Sequence, residues 1–157
     1  MTDATPRPLH RFHGGLHLPG KKAGSPIRPC PLPTHLLVPL EQYAGVVAEP
    51  CITVGAHVRR GQSIATAPGF NVPAPASGTV IGISTLPRAS IHIACDALQG
   101  PALTLPPLDP WHAALDELRD RLRQAGIVGL GGAAFPTAEK LAGGASLLIL
   151  NGDECEP

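Results

Sequence analysis

Val54-Gly55-Ala56-His57-Val58-Arg59-Arg60-Gly61-Gln62-Ser63-Ile64 and, after a short connection, Ala74-Pro75-Ala76-Ser77-Gly78-Thr79-Val80 decide the fold of the middle of this chain. Single apolar residues recur between glycines and prolines, which predicts short strands separated by turns. Arg59 and Arg60 fall in a turn between Val58 and Gly61 and read as a solvated tip. Working outward, Leu36-Leu37-Val38-Pro39-Leu40 is apolar, and Pro39 suggests an edge strand, where a missing N–H does no harm. Val80, Ile81 and Ile83 add β-branched residues, and Ile91-His92-Ile93 alternates as a half-buried strand does. Residues 36–96 are therefore expected to form a small all-β domain. His35, His57 and His92 stand singly among these strands and read as satisfied or solvent-facing side chains.

The spacing of Val54, Gly55, Val58, Gly61, Gln62 and Ile64, with Ala74 to Val80 behind it, resembles the barrel-sandwich hybrid of biotinyl and lipoyl carrier domains. In that family the hairpin between the two motifs carries the lysine that receives the prosthetic group. Here the connecting residues are Thr66-Ala67-Pro68-Gly69-Phe70-Asn71, and the chain's lysines are Lys21, Lys22 and Lys140. The fold resemblance stands without a swinging arm.

Composition narrows the rest. The 157 residues suit one ordinary domain or two small ones, and 12 Lys and Arg balance 12 Asp and Glu. No net field favours nucleic acid or anionic lipid, and an aromatic content of 3% leaves few stacking platforms for single strands. The 18 glycines and 19 prolines are roughly double the usual share, which favours turns over long helices. Cys30, Cys51, Cys95 and Cys155 lie far apart, without the close pairs of zinc or iron–sulfur sites. No apolar signal core follows Met1, and the aliphatic run Leu147 to Leu150 is far too short to cross a bilayer, so a soluble protein in a reducing compartment is expected.

Residues 1–35 read as an extended arm. His13 and His17 have the i, i+4 spacing that chelates metal on a helix, but Gly14 and Gly15 between them argue against a helix. Phe12 and Leu16 read instead as anchors for the arm. Residues 97–108, with Pro101, Pro106 and Pro107, predict a linker. A helix is then expected from Asp109, a good cap, and Pro110, a good first residue. Trp111, Leu115, Leu118, Leu122 and Ala125 would form its core-facing stripe, Glu117 and Arg121 an i, i+4 pair, and Gly126 the stop.

The chemistry concentrates beyond that stop, in Gly129-Leu130-Gly131-Gly132-Ala133-Ala134-Phe135-Pro136-Thr137. Glycine lets backbone approach a phosphate closely, although a plain surface loop has the same composition. A helix over 138–142, capped by Thr137, would place anion-favouring N–H groups at the loop's end and Lys140 one turn in. A buried strand over 146–150 would deliver Asn151, Asp153, Glu154 and Glu156 at its carboxyl end, where open α/β sheets hold ligands. On pattern alone the three carboxylates are either a solvated loop or a site for a ribityl chain, a flavin ring or a nucleotide sugar.

This glycine loop with Lys140, followed by Asn151-Gly152-Asp153-Glu154-Cys155-Glu156-Pro157, is similar to the start of an FMN- and NADH-binding domain shared by two families. One is the flavin-bearing subunit of respiratory complex I; the other is RnfC, the C subunit of the Rnf-type (Rsx-type) ion-translocating electron transport complex. Phe12-His13-Gly14-Gly15-Leu16-His17, the barrel-sandwich segment and Glu154-Cys155-Glu156-Pro157 resemble the second, whereas the first typically has arginine at Leu130 and serine at Cys155. The resemblance covers essentially the whole chain. It implies an α+β protein: arm (1–35), barrel-sandwich hybrid (36–96), linker (97–108) and the start of an α/β FMN/NADH-binding domain (109–157).

It further implies that Gly129, Gly131, Gly132 and Lys140 wrap the FMN and its phosphate. Asn151, Asp153 and Glu154 would lie around the flavin, and Phe135 and Glu156 would touch the nicotinamide nucleotide. Electrons would pass between NADH and iron–sulfur clusters or a ferredoxin-like carrier, coupled to ion translocation. The implied partners are the other subunits of such a membrane complex, with this subunit peripheral on the cytoplasmic face of the inner membrane, without a transmembrane segment and without nucleic acid. Members of that family continue past the position of Pro157 to two [4Fe–4S] motifs, so this chain is expected to hold an incomplete pocket and not to catalyse alone. The alternative is a non-catalytic barrel-sandwich docking module with a vestigial nucleotide-binding stub.

Overall fold

Ile91 and Ile93 are both buried in the computed structural model while His92 between them is only half-buried, because successive side chains of a strand face opposite sides. The structure describes residues 26–43, 45–130, 133–143 and 147. In chain order the elements are β1 (His35–Pro39), β2 (Glu41–Tyr43), β3 (Val46–Val47), β4 (Glu49–Pro50), β5 (His57–Val58), β6 (Ser63–Ala67), β7 (Phe70–Pro73), β8 (Gly78–Ser84), β9 (Ser90–Cys95), α1 (Leu115–Gln124) and α2 (Thr137–Lys140). All lie within one compact unit, Cys30–Leu147.

Among the described residues the strands form a four-stranded sheet in the order β1-β9-β8-β5, a three-stranded sheet β4-β6-β7 and the pair β2-β3. Every pairing is antiparallel. Pro39 ends β1, an edge strand, as its lack of an N–H requires. A bulge between Val80 and Gly82 keeps Val80 in the core and leaves Ile81 51% exposed.

Both larger sheets feed one core. Val38, Val58, Val80, Ile91 and Ile93 come from the first, and Ile64, Ala65, Phe70 and Val72 from the second. Each such large side chain contributes roughly 1.5–3 kcal/mol on burial. The single histidines are satisfied: His57 pairs with Asp96 at 2.8 Å, His35 with Thr34 at 3.1 Å, and His92 lies 3.4 Å from both Ser84 and Ser90.

The proline-bearing stretch after β9 is held on the barrel. Gln99 donates to the carbonyls of Ser77 and Asp96, and its Oε1 accepts the Ser77 N–H at 2.7 Å. Buried Ser77 accepts the Arg60 N–H at 3.0 Å, and the Leu103 N–H donates to the Arg60 carbonyl at 2.7 Å.

The helix expected from Asp109 begins only at Leu115. Asp109 caps a separate turn instead: Oδ1 accepts the Trp111 N–H at 2.9 Å and Oδ2 pairs with His112 Nδ1 at 2.6 Å. Ala114 is then extended (φ −64°, ψ 148°), so the turn cannot run on into the helix. Trp111 consequently leaves the expected stripe and is 89% exposed; Leu115 is exposed too, and only Leu118, Leu122 and Ala125 of the five are half-buried. Arg121 does not extend along the helix toward Glu117 but donates to the Pro106 carbonyl. The ion pairs on α1 have i, i+3 spacing, Asp116–Arg119 at 3.3 Å and Asp120–Arg123 at 2.6 Å.

The predicted stop is realised. Gly126 adopts φ +66°, its N–H donates to Arg123, and the Ile127 N–H donates to Leu122. These two bonds form a Schellman motif, which needs a left-handed residue at this position.

Candidate functional site

Chain leaving Gly126 meets the chain entering α2 and closes a loop at its base. Val128 pairs with Pro136, the Gly129 N–H donates to the Phe135 carbonyl at 2.9 Å, and the Thr137 N–H donates to the Ile127 carbonyl at 3.1 Å. Val128 packs against the barrel core, and Pro136 and Ala138 are buried. The stem of the glycine loop is thus anchored in apolar packing, while Leu130 and Phe135 beyond it are 101% and 45% exposed. Ala134, on the returning side, has φ +51°. A left-handed alanine costs roughly 1–2 kcal/mol, a strain that surrounding contacts must hold in place.

Lys140 comes back over this loop. A Cβ built on Gly129 would lie 2.6 Å from Lys140 Nζ, so the ammonium rests in the space that the missing side chain leaves and would have to shift for any other residue. The adjacent Glu139 carboxylate is turned to Arg123 Nη2 at 3.2 Å. Hydrogen bonds from Arg123 to Glu139 and then Asp120 raise the guanidinium's pKa and keep it charged. Arg119 Nε also donates to the Ala138 carbonyl at 3.2 Å, so α1 grips α2 through two arginines.

The helix expected over 138–142 is shorter, a single turn Thr137–Lys140. Pro136, with no side-chain cap bond to offer, is its N-cap, and Thr137 lies inside the turn. One turn has too few aligned peptides to supply the field of a helix terminus. The charge brought to the loop is therefore that of Lys140.

Of the predicted site residues, the structure brings Gly129 and Lys140 together, with the Phe135 backbone in the stem and its ring at the rim. Gly131, Gly132, Asn151, Asp153, Glu154 and Glu156 lie outside the described residues, as do residues 1–25 of the arm, His13 and His17 among them, and, apart from Leu147, the strand expected over 146–150. Arg119, Arg123 and Glu139 build the site without any mark in the sequence, because no local spacing signals a contact between separate helices. What suits a phosphate here is the Lys140 ammonium beside Cβ-free backbone at Gly129, whose own N–H is already bonded to the Phe135 carbonyl, with the neighbouring Glu139 carboxylate engaged by Arg123. Among the described residues no group of His, Cys, Asp and Glu could hold a metal ion, and no helix is long and apolar enough to cross a membrane.

Comparison with known proteins meets this geometry at both ends. The family model of the RnfC barrel sandwich hybrid domain matches residues 10–96, and that of the Nuo51 FMN-binding domain matches residues 122–157. The chain is 43% identical over 167 residues to the C subunit of the ion-translocating oxidoreductase complex of Pseudomonas aeruginosa, covering 95% of this chain and 22% of that protein. It is 41% identical over 162 residues to the subunit of the same name from Serratia proteamaculans, covering 93% of this chain and 23% of that one. The chain thus spans less than a quarter of the length of these curated relatives. The barrel-sandwich architecture and the start of an FMN-binding domain, both expected from the motifs, are what the family models describe.

Proposed function

Because this chain belongs to the RnfC family, we propose that it is the amino-terminal part of an electron-carrying subunit of an ion-translocating oxidoreductase complex, in which loop 129–135 and Lys140 receive the phosphate of FMN. The observation that carries this reading is the placement of Lys140 Nζ in the space vacated at Gly129. An ammonium against bare backbone favours a dianionic group over a neutral one. Gly131, Gly132, Asn151, Asp153 and Glu154 complete the FMN surround, and Phe135 and Glu156 meet the nicotinamide nucleotide. Bound FMN would supply the exchange between two-electron hydride chemistry and one-electron transfer. The chain's own part is to orient the phosphate end, keep the loop stem dry against Val128 and Pro136, and leave the exposed rim for the second nucleotide.

In the whole subunit, electrons pass between NADH and [4Fe–4S] clusters and a ferredoxin-like carrier by way of FMN, coupled to ion translocation, with the subunit peripheral on the cytoplasmic face of the membrane among the other subunits. The chain divides functionally into the arm (1–35), the barrel (36–96), the connector (97–108) and the nucleotide-binding part (109–157).

The runner-up is a docking module whose barrel contacts neighbouring subunits without any flavin; exposed Leu37 and Ile81, on β1 and β8, favour it. Titrating the chain with FMN and with riboflavin separates the two. Quenching of FMN fluorescence, with riboflavin binding much weaker, supports the phosphate site. Equal failure of both flavins sinks it for this chain and leaves the docking reading.

A further inference from the structure

The β6–β7 hairpin touches the flavin-loop segment at two places. At its tip, Pro68 and Gly69 form the two-residue turn between Ala67 and Phe70, with Gly69 at φ +90°. Proline followed by a left-handed glycine suits a type II turn. A Cβ at Gly69 would lie 3.4 Å from Glu139 Cγ and Oε1 and 3.6 Å from Pro136 Cβ. Glu139 precedes Lys140, and Pro136 is the residue whose pairing with Val128 closes the glycine loop. Along the flank of the hairpin, a Cβ on Gly126 would lie 2.5 Å from the Asn71 carbonyl oxygen and 3.0 Å from Pro73 Cδ. The two legs of the loop, 126–129 and 135–140, therefore rest on one hairpin of the barrel.

We infer that the β6–β7 hairpin is a positioning element for the glycine loop: its Pro68-Gly69 tip sets where α2 sits and hence where Lys140 meets Gly129. This inference rests on the FMN reading above for its consequence, though not for its geometry. The hairpin carries no reactive group; it is a bracket rather than a carrier. Glu139 links the bracket to α1 through Arg123, so a displaced tip moves the carboxylate and the turn that bears Lys140 together. The positioning residues are Gly69, Pro136 and Glu139, and none of them is asked to touch the nucleotide.

The test compares Gly69→Leu with Gly55→Leu in the 157-residue chain. At Gly69 a Cβ already reaches ordinary contact with Glu139 and Pro136, so the atoms beyond it must push α2 away; at Gly55, with a similar φ of +88°, a Cβ meets nothing within 4 Å. Both substitutions carry the same kind of left-handed backbone strain and should both lower the thermal midpoint. Hydrogen exchange at the Gly129 and Thr137 amides, the donors that close the loop, should speed up in Gly69→Leu alone. FMN affinity should fall about tenfold in Gly69→Leu and stay unchanged in Gly55→Leu. Equal exchange at those amides in the two variants would overturn the inference. Should Gly69→Leu not fold, Glu139→Ala, which removes the side chain under the tip without backbone strain, is read by the same exchange. Exchange needs no flavin, so failure of the chain to bind FMN is a separate result. Selective exchange without any FMN binding would leave the bracket standing and sink the phosphate site.

Discussion

The carbonyl oxygen of Ala94 lies against the Cα of Gly78, well inside the distance that any Cβ at that position would need. Gly78 opens β8, pairing with Val58 of β5 on one side and Cys95 of β9 on the other. The four-stranded sheet can close over its core only because this residue has no side chain. Backbone on the far side cannot step aside as a flexible side chain would. Gly78→Ala is expected to destabilise the chain by about 1–3 kcal/mol, the range of overpacking in a tight site. Gly100→Ala, where a Cβ meets nothing within 4 Å, should stay within about 0.5 kcal/mol of the parent. Urea unfolding midpoints measure both, and equal midpoints for the two variants would refute the assignment.

Burial predicts a larger loss at Ile93. Its side chain is 0% exposed in the middle of β9, between β1 and β8. Ile93→Ala should cost about 2–5 kcal/mol through lost transfer energy and the cavity left behind. Leu37→Ala, on neighbouring β1 but 57% exposed, should cost far less. A loss at Leu37 matching that at Ile93 would mean that the outer face of β1 is covered in solution.

At the loop, Gly129→Ala forces Lys140 Nζ out of the space it fills, and Lys140→Gln removes the charge while leaving the glycine. Each should erase most of the preference for FMN over riboflavin, about tenfold in relative affinity. Neither side chain belongs to the core, so the thermal midpoint should barely move. Loss of FMN preference in Gly129→Ala but not in Lys140→Gln would assign the selectivity to the backbone instead of the ammonium.

Those predictions rest on features of different visibility in the sequence. The barrel strands were legible because alternation and glycine or proline punctuation are local signals: Ile91 and Ile93 went in, and Pro39 went to an edge. Gly126 was legible as a stop for the same reason. Asp109 misled because a carboxylate cap followed by proline suits any tight turn, and here His112 and the Trp111 N–H captured it before a helix could propagate. Without that first turn, Trp111 lost its place on the stripe. The docking of Pro68-Gly69 on Glu139 was illegible, since two residues far apart in sequence leave no mark in local spacing. The lysine missing from that hairpin was visible, but not that the tip would bear on α2.

Cysteine reactivity offers a check on the barrel rim. Burial first, and the neighbouring Asp96 charge second, raise the pKa of the Cys95 thiol. Cys30 and Cys51 are exposed, whereas Cys95 is half-buried on β9. The thiolate is the nucleophile, so a raised pKa and reduced access act in the same direction. In timed alkylation at mildly alkaline pH, peptide mapping should find Cys95 modified more slowly than Cys30 or Cys51. Asp96→Asn should speed Cys95 only modestly, because it removes the smaller cause. Labelling of Cys95 ahead of both others would contradict the placement of β9.

The turn at Asp109 should report on acid. Hydrogen bonds from His112 first, and then from the Trp111 N–H, hold the Asp109 carboxyl below its ordinary value. A carboxylate with a depressed folded-state pKa stabilises the fold fully above its unfolded value, near 3.9, and loses that contribution as pH falls through the lower folded value. The expected window therefore lies below about pH 4, on the acid side of an ordinary aspartate. Trp111 is the single tryptophan of the chain and sits in the turn, so its emission isolates this event. Acid titration should shift the emission with a midpoint under that of a model aspartate, and Asp109→Asn should abolish this transition while leaving the barrel folded. A midpoint at or above the ordinary aspartate value would mean that the Asp109 carboxylate is not the group that holds the turn, and that α1 is free to begin earlier than Leu115.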